Sequence, residues 1–201
     1  MSSLMISSSG IRGIVGETLT PTLAVEVGMS FGQLIGKGPV VLGGDTRTSH
    51  DTFSNAVIAG LQSVGTDVIY IGKVTTPTVQ QLIKLHNAKG GLVITASHNP
   101  IIWNGIKLMN ETGSFLSSQQ YDTFIDIYTK KSFNLSPWNS QGILTKDQTA
   151  LQSHVNLILS KIDTSPIHNS GLKVLIDANN GAGAVANPLL LDKLGIEYKI
   201  I

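Results

Sequence analysis

The residue types with the clearest chemical potential lie in one short segment, T-A-S-H-N-P at residues 95–100. It follows an apolar run, residues 91–94, which predicts a buried strand, so we expect Ser97 in the loop at that strand's carboxyl end. Ligands of open α/β sheets bind at this edge of the sheet. A hydroxyl beside an imidazole and an amide, ahead of a stiffening proline, favours phosphoryl chemistry at Ser97.

Two other interpretations of Ser97 remain open. The residue could simply belong to a turn, where serine is common. An acyl-transfer serine is expected in a G-x-S-x-G elbow, but Ala96 and His98 flank this one. Adjacent side chains on an extended loop tend to point apart. We therefore expect His98 to orient the loop or stabilise charge rather than to act as a base for Ser97.

Two cations could approach the same loop. Arg12 lies in a glycine-flanked turn, S-G-I-R-G at residues 9–13. Glycines let a backbone come close to an anion, and a guanidinium binds phosphate through two parallel hydrogen bonds. Lys107 lies ten residues after Ser97, in the stretch N-G-I-K. The alternative for Arg12 is an ordinary surface arginine in a turn.

Two further loops carry polar or glycine-rich patterns. Asp45 and Arg47 follow an apolar run, and their spacing favours bracing of neighbouring loops over contact with substrate. The stretch G-A-G-A-V-A at residues 181–186 matches the G-x-G-x-x-A pattern of dinucleotide folds. Asp177 precedes this stretch, whereas the ribose-binding acid of such folds lies about 20 residues after it. A Rossmann dehydrogenase is therefore disfavoured, and we expect no NAD binding.

The elements that must position these residues alternate between strand and helix, which predicts βαβ units. Helices are predicted at residues 21–35, 51–64, from 76, 118–130, 148–162 and 184–194, and strands at 39–42, 67–71, 91–94, 106–109, 173–177 and 197–201. The predicted fold class is α/β, with a mixed, largely parallel sheet flanked by helices and an incomplete second α/β domain. We place the first domain at 1–147, with 132–147 as a boundary region, and the start of the second at 148–201.

Composition limits the classes of partner. The 201 residues include 14 basic and 13 acidic side chains, and the net charge of +1 favours neither nucleic acid nor an acidic membrane. The chain has no cysteine, which excludes disulfides and thiolate metal sites. No apolar run approaches the roughly 18 residues that span a bilayer, and the first residues lack a signal-peptide pattern. We therefore expect a soluble, cytoplasmic protein.

Six segments together resemble the α-D-phosphohexomutases, a family that includes phosphoglucomutase, phosphomannomutase and phosphoglucosamine mutase. They come in the family's order: S-G-I-R-G at 9–13, G-D-T-R at 44–47, T-P-T at 76–78, T-A-S-H-N-P at 95–100, N-G-I-K at 104–107 and D-A-N-N-G-A-G at 177–183. The serine motif with the N-G-x-K spacing is highly specific. The resemblance implies four domains, of which this chain would hold the first and the opening of the second, with the rest of domains II–IV as its partners.

The resemblance also implies a reaction. Ser97 would carry a phosphoryl group and pass it to a sugar monophosphate, giving a bisphosphosugar that reorients and returns the other phosphate. The parent enzyme would interconvert hexose 1-phosphate and hexose 6-phosphate, with Mg²⁺ bound through the phosphate on Ser97 and hexose 1,6-bisphosphate as activator. Catalytic roles would fall to Ser97, Lys107, Arg12 and His98, and substrate contacts to Ser9, Arg12, Asn99 and Lys107.

Some of the family's features have no counterpart in these residues. The three-aspartate metal loop of the second domain, the sugar-specificity loop of the third and the phosphate-binding loop of the fourth would all lie beyond Ile201, and Trp103 stands where many members have tyrosine. We therefore expect no measurable mutase turnover from this chain alone. The alternative, from a different class, is a short phosphosugar-binding or regulatory module that keeps the fold without catalysis.

Overall fold

Short apolar runs and amphipathic segments alternate in the computed structural model, which describes residues 4–168 and 170–201. The first three residues of the predicted first domain lie outside these ranges. The strands are β1 (Met5–Ser7), β2 (Gly10–Ile14), β3 (Val40–Gly44), β4 (Val68–Lys73), β5 (Gly90–Ile94), β6 (Trp103–Asn110), β7 (Leu144–Lys146), β8 (Lys173–Ile176) and β9 (Glu197–Ile200). The helices are α1 (Pro21–Ile35), α2 (His50–Ser63), α3 (Thr76–Leu85), α4 (Ser118–Lys130), α5 (Ala150–Leu159), α6 (Ser165–His168) and α7 (Gly183–Leu194).

The first seven strands form one sheet in the order β1-β2-β6-β5-β3-β4-β7. Strands β5, β3, β4 and β7 are parallel neighbours, while β6 is antiparallel to both β5 and β2. Five strands therefore run in one direction, and only β1 and β6 oppose them. The sheet is mixed and largely parallel, as the sequence predicts.

Helices cover both faces of this sheet, and each face has its own apolar core. Strand residues alternate between the faces, so neighbours such as Val41 and Leu42 join different cores. Helices α1, α2 and α4 contribute Phe31, Phe53 and Phe124 to one core, while α3 and α5 pack on the other face. Full burial of such an aromatic side chain contributes about 1.5–3 kcal/mol to folding.

Local capping chemistry places the helix ends where the sequence predicts them. The Thr20 hydroxyl accepts a hydrogen bond from the Leu23 amide at 3.2 Å, and Pro21 occupies the first turn of α1. Ser117 and Gln120 form a reciprocal capping box at the start of α4. These signals are local, which is why they can be recognised without tertiary information.

Two strands differ from the sequence prediction. Strand β6 spans Trp103–Asn110 rather than residues 106–109, because it pairs with β5 on one side and β2 on the other. Strand β7 lies inside the segment predicted as a boundary region, and it extends the sheet by pairing with β4 from Val68–Leu144 to Tyr70–Lys146. Its three residues are all exposed, so they lack the alternating apolar pattern that marks a strand.

Beyond β7, helix α5 packs against α3, and helix α7 connects the parallel strands β8 and β9. Gly195 ends α7 in the left-handed conformation, with φ 64°. The two-stranded sheet leaves Leu175 exposed.

Within the described ranges, no helix combines the length and the apolar character needed to cross a bilayer. The proposed division at residue 147 stays a prediction.

The contact between α1 and α2 depends on two glycines. A Cβ at Gly60 would collide with the carbonyl oxygen of Val25, and one at Gly28 would lie 2.5 Å from the carbonyl oxygen of Val57. We predict that Gly60→Ala destabilises the protein by about 1–3 kcal/mol, because the helices must move apart. The free energy of unfolding from denaturant titration measures this loss.

The control is Asn55→Ala, an exposed position on the same helix. It should leave stability unchanged or raise it slightly, since alanine is the better helix former. If Gly60→Ala proves as stable as Asn55→Ala, the close approach of the two helices does not limit stability.

Candidate active site

Three loops meet at the carboxyl ends of parallel strands. Strands β3 and β5 pair in register, from Val40 with Gly90 to Gly44 with Ile94, so the loops that follow them leave the same edge of the sheet. The loop after β8 contributes the opposite wall. A cavity of about 700 Å³ lies between them, lined by Asp45, Thr46, Arg47, Thr48, Thr95, Ser97, Asn99, Ile101, Ala178, Asn179, Asn180, Gly181 and Ala182.

Ser97 lies in this cavity wall in a backbone conformation that serine seldom adopts. Its φ of 56° is left-handed, and its side chain is exposed. Hydrogen bonds hold the turn: the Ser97 amide donates to the Thr95 hydroxyl at 3.0 Å, and the Asn99 side-chain amide donates to the Ala96 carbonyl oxygen at 2.8 Å. The structure therefore presents the Ser97 hydroxyl on a fixed turn, and Asn99 shapes that turn.

The expectation that His98 points away from Ser97 is wrong. The Ser97 Oγ lies 3.4 Å from His98 Nδ1, slightly longer than an ordinary hydrogen bond. The left-handed conformation at Ser97 curls the chain, so the loop is not extended there and the two neighbouring side chains can meet. The exposed imidazole therefore lies beside the serine hydroxyl.

The Ser97 loop is held by the guanidinium group of Arg47. Its Nη1 donates hydrogen bonds to the carbonyl oxygens of Pro100 (2.9 Å) and Trp103 (3.0 Å). Its Nη2 donates to those of Ser97 (3.0 Å) and Asn99 (2.7 Å). The Arg47 side chain is only 13% exposed, so most of its donors are directed into the loop rather than into water.

Asp45 orients that arginine. Its carboxylate accepts a hydrogen bond from the Arg47 amide at 3.1 Å and lies 3.4 Å from the Arg47 Nε. The Asp45 amide in turn donates to the Ile94 carbonyl oxygen at 3.0 Å, at the end of β5. The prediction that Asp45 and Arg47 brace neighbouring loops is confirmed by these contacts.

Arg12 and Lys107 lie together on the adjoining antiparallel strands. Arg12 pairs with Gly105 in the β2–β6 ladder, and Lys107 is two residues further along β6, so both side chains project from the same face. The Lys107 Nζ lies 5.9 Å from the centre of the Phe115 ring. Burial, followed by the charge of Arg12, lowers the pKa of Lys107, while Asp45 opposes the shift.

Ser9 occupies the turn between β1 and β2, where its Oγ is 2.8 Å from that of Ser7. The turn lies directly against β6. Gly10 has a φ of 121°, and a Cβ there would come within 2.9 Å of the Lys107 Cα. The predicted anion-binding turn and the predicted cation are therefore neighbours in the fold.

The structure separates the predicted residues into two adjoining groups. Ser97 and Asn99 line the cavity, with His98 against Ser97. Arg12 on β2, Lys107 on β6 and Ser9 in the turn before β2 form a second group that is not part of the lining. Sequence reasoning missed Thr46 and Thr95. Their signal was weak, since each is only a hydroxyl following an apolar run.

The donor set here does not form a complete magnesium site. Within residues 4–168 and 170–201, no three His, Cys, Asp or Glu side chains cluster to hold a metal. The predicted magnesium ligand among these residues is Ser97, through its phosphate. Mg²⁺ needs near-octahedral coordination by oxygen, so one such group does not complete the site.

Comparison with known proteins identifies relatives of the chain. The family model described as phosphoglucomutase/phosphomannomutase, alpha/beta/alpha domain I, matches residues 4–135. A protein named probable phosphoglucosamine mutase from Thermococcus kodakarensis is 42% identical over 188 residues, which cover 94% of this chain and 41% of that protein. A phosphoglucomutase/phosphomannomutase of the same organism is 37% identical, with coverage of 95% and 43%.

Solved structures agree with this relationship. A phosphoglucomutase/phosphomannomutase family protein from Burkholderia thailandensis superimposes with a TM-score of 0.82 at 27% identity, covering 98% of this chain and 44% of that one. The chain thus spans about two fifths of the length of the curated relatives it matches.

We predict that Arg47→Lys loosens the Ser97 loop while keeping the charge, because an ammonium cannot reach four carbonyl oxygens in the planar geometry of a guanidinium. The free energy of unfolding should fall by about 2–4 kcal/mol, since several hydrogen bonds from a charged donor are lost together. Amide hydrogen exchange at Asn99 and Trp103 should accelerate by more than about tenfold, because opening the loop exposes these amides.

Lys73→Met is the matched control, since it removes an exposed ion pair with Asp51 and no loop contact. Its cost should be under about 1 kcal/mol, with unchanged exchange at the two reporter amides. Equal effects of the Arg47 and Lys73 substitutions would contradict the bracing role of Arg47.

The charge environment of Lys107 gives a prediction of its own. Arg12→Leu should raise the pKa of Lys107, since a nearby positive charge is removed, whereas Asp45→Asn should lower it further. Nuclear magnetic resonance of the labelled lysine ε-carbon measures both shifts. Two shifts in the same direction would contradict the assigned electrostatics.

The same shift affects stability with a defined sign. Between the lowered pKa and the ordinary lysine value of 10.5, the unfolded chain binds more protons at this residue than the folded chain. The contribution of Lys107 to stability therefore rises with pH across that window. In Arg12→Leu this slope should be shallower.

Proposed function

Because the chain belongs to the phosphoglucomutase/phosphomannomutase family, we propose that it provides the phosphoserine domain of a cytoplasmic phosphohexomutase. The reaction we propose for the whole enzyme interconverts hexose 1-phosphate and hexose 6-phosphate through a hexose 1,6-bisphosphate. Ser97 carries the transferred phosphoryl group. Other segments of the parent chain complete the sugar-binding site.

The observation that carries this proposal is the presentation of Ser97. Its exposed hydroxyl stands in a left-handed turn at the carboxyl end of β5. Arg47 holds three carbonyl oxygens of the surrounding loop and that of Trp103 at the start of β6. Phosphoryl transfer relies on positioning more than on covalent chemistry by the protein. A fixed turn at a cavity of about 700 Å³ supports such positioning.

The proposed transfer exchanges two oxygen–phosphorus bonds. The bond between the Ser97 Oγ and phosphorus breaks as a sugar hydroxyl oxygen bonds to the same phosphorus. The sugar hydroxyl loses its proton and the released Ser97 Oγ takes one up, so the protons balance. In the reverse direction the Ser97 hydroxyl gives up its proton. His98 Nδ1, 3.4 Å from the Ser97 Oγ, is the nearby group that can accept it.

The cations on β2 and β6 suit the other needs of this reaction. Arg12 can stabilise a phosphate group through its guanidinium fork. Burial and the charge of Arg12 lower the pKa of Lys107. This lysine can therefore serve either as a cation or as a proton-transfer partner near the reacting oxygens. Ser9 and Asn99 are proposed substrate contacts, and hexose 1,6-bisphosphate is the proposed activator. Mg²⁺, when bound through the phosphate on Ser97, would offset charge, with its other ligands supplied from elsewhere in the parent enzyme.

We predict that Ser97 carries a single phosphate group when this chain, as part of the whole parent enzyme, is incubated with excess glucose 1,6-bisphosphate. The phosphate should be absent from Ser97→Ala, because the accepting oxygen is gone. Intact-mass measurement followed by fragmentation assigns the position. Ser114→Ala, at an exposed serine away from the cavity, is the control and should be phosphorylated like the parent chain.

Phosphate on a different residue, or none on any, would count against the proposal. In the latter case, retained binding of a hexose phosphate would favour the phosphosugar-binding module. We expect no measurable mutase turnover from the 201 residues alone, because the proposed sugar-binding segments lie elsewhere. A normal steady-state rate from this chain would contradict that part.

A further inference from the structure

The loop after β3 makes contacts in two directions. Arg47 binds the Ser97 loop, whereas the neighbouring Thr46 points to the glycine loop, which we define as residues 178–182. The Thr46 hydroxyl donates a hydrogen bond to the carbonyl oxygen of Asn180 at 2.8 Å. One three-residue segment, Asp45–Arg47, thus contacts both walls of the cavity that Ser97 lines.

The glycine loop has a shape that its own hydrogen bonds maintain. Asn179 and Asn180 both adopt left-handed conformations, with φ of 47° and 52°. The Asp177 side chain accepts from the Asn179 amide at 2.9 Å, and the Gly181 amide donates to the Ala178 carbonyl oxygen at 2.7 Å. These contacts fix the loop internally. They do not determine where it stands relative to Ser97.

We propose that Thr46 is a positioning residue that holds the glycine loop across the cavity from Ser97. Its hydrogen bond crosses from the seven-stranded sheet to the segment between β8 and α7. The inference rests on the proposed function for its effect on phosphoryl transfer, but the hold on the loop is a structural property that can be measured separately. Without the Thr46 donor, the glycine loop loses its direct hydrogen bond to the loop after β3, so the cavity opens more often.

The side chain at position 46 gives a sharp pair of variants. Thr46→Ser keeps the hydroxyl, whereas Thr46→Val replaces it with a methyl group of similar volume. Thr48→Val is the matched control, because Thr48 lines the same cavity but lies two residues away from the hydrogen bond. Loss of one neutral hydrogen bond corresponds to roughly a three- to tenfold change in the ratio of closed to open arrangements.

The absence of cysteine allows selective spin labels on both sides of the cavity. Thr52 on α2 and Lys193 on α7 are both exposed, and each is replaced by a spin-labelled cysteine. Pulsed electron paramagnetic resonance then measures the distance between α2 and α7. The doubly labelled chain without a further substitution should share one narrow distance distribution with Thr46→Ser and Thr48→Val. Thr46→Val should gain an open population, while amide exchange at Asn99 and Trp103 stays unchanged because Arg47 is intact.

A distribution for Thr46→Val that matches the parent chain would overturn the proposal, as would an equal change in Thr48→Val. The rate of phosphate uptake by Ser97 from glucose 1,6-bisphosphate is measured with the same substitutions in the whole parent enzyme. We expect a three- to tenfold slower uptake in Thr46→Val and recovery in Thr46→Ser. If Ser97 accepts no phosphate in any variant while the distance still broadens, the proposed function fails and the positioning role of Thr46 stands.

Discussion

The candidate site depends on the planar guanidinium group of Arg47 and on the carbonyl oxygens to which it donates hydrogen bonds. Arg47 binds the carbonyl oxygens of three residues in the loop between β5 and β6 and that of Trp103, the first residue of β6. The Pro100 carbonyl oxygen also accepts from the Trp103 amide, but without the arginine the carbonyl groups of Ser97 and Asn99 would depend on water. By supplying donors from a single rigid group, the arginine converts the loop into a defined turn, and the direction of the Ser97 hydroxyl follows from it.

That arrangement requires β3 and β5 to end side by side, which small residues permit. A Cβ at Gly44 would lie 2.9 Å from the His50 Nδ1 and would also collide with the Ile94 carbonyl oxygen. The Asp45 amide can therefore donate a hydrogen bond to that same carbonyl oxygen. The segment Asp45–Arg47, which holds the neighbouring loops, thus begins immediately after the strand. The buried His50, whose imidazole contacts the Tyr70 hydroxyl at 3.0 Å, packs behind the turn. Close packing and the site's polar contacts thus meet at one strand end.

The sequence predicts those features that arise within a few residues of one another. The Thr20 and Ser117 caps, the apolar runs of β3 and β5, and the position of Ser97 after β5 all carry local signals. Strand β7 does not, because its partner β4 rather than its own exposed residues makes it a strand. Contacts such as that of Thr46 with Asn180 span 134 positions of the chain, and the spacing of residues in the sequence does not predict them. The proximity of His98 to Ser97 was missed for a different reason, namely an unforeseen positive φ.

The positive φ at Ser97 also bears on which alcohol can occupy this position. Serine and threonine offer the same nucleophilic oxygen, but a β-branched side chain fits the left-handed region poorly. Leaving the right-handed and extended regions costs an ordinary residue about 1–2 kcal/mol, and branching at Cβ adds to that cost. The turn therefore discriminates between the two alcohols through backbone conformation, before any substrate is present. At this strand end, the identity of the hydroxyl-bearing residue is a requirement of the fold as well as of the chemistry.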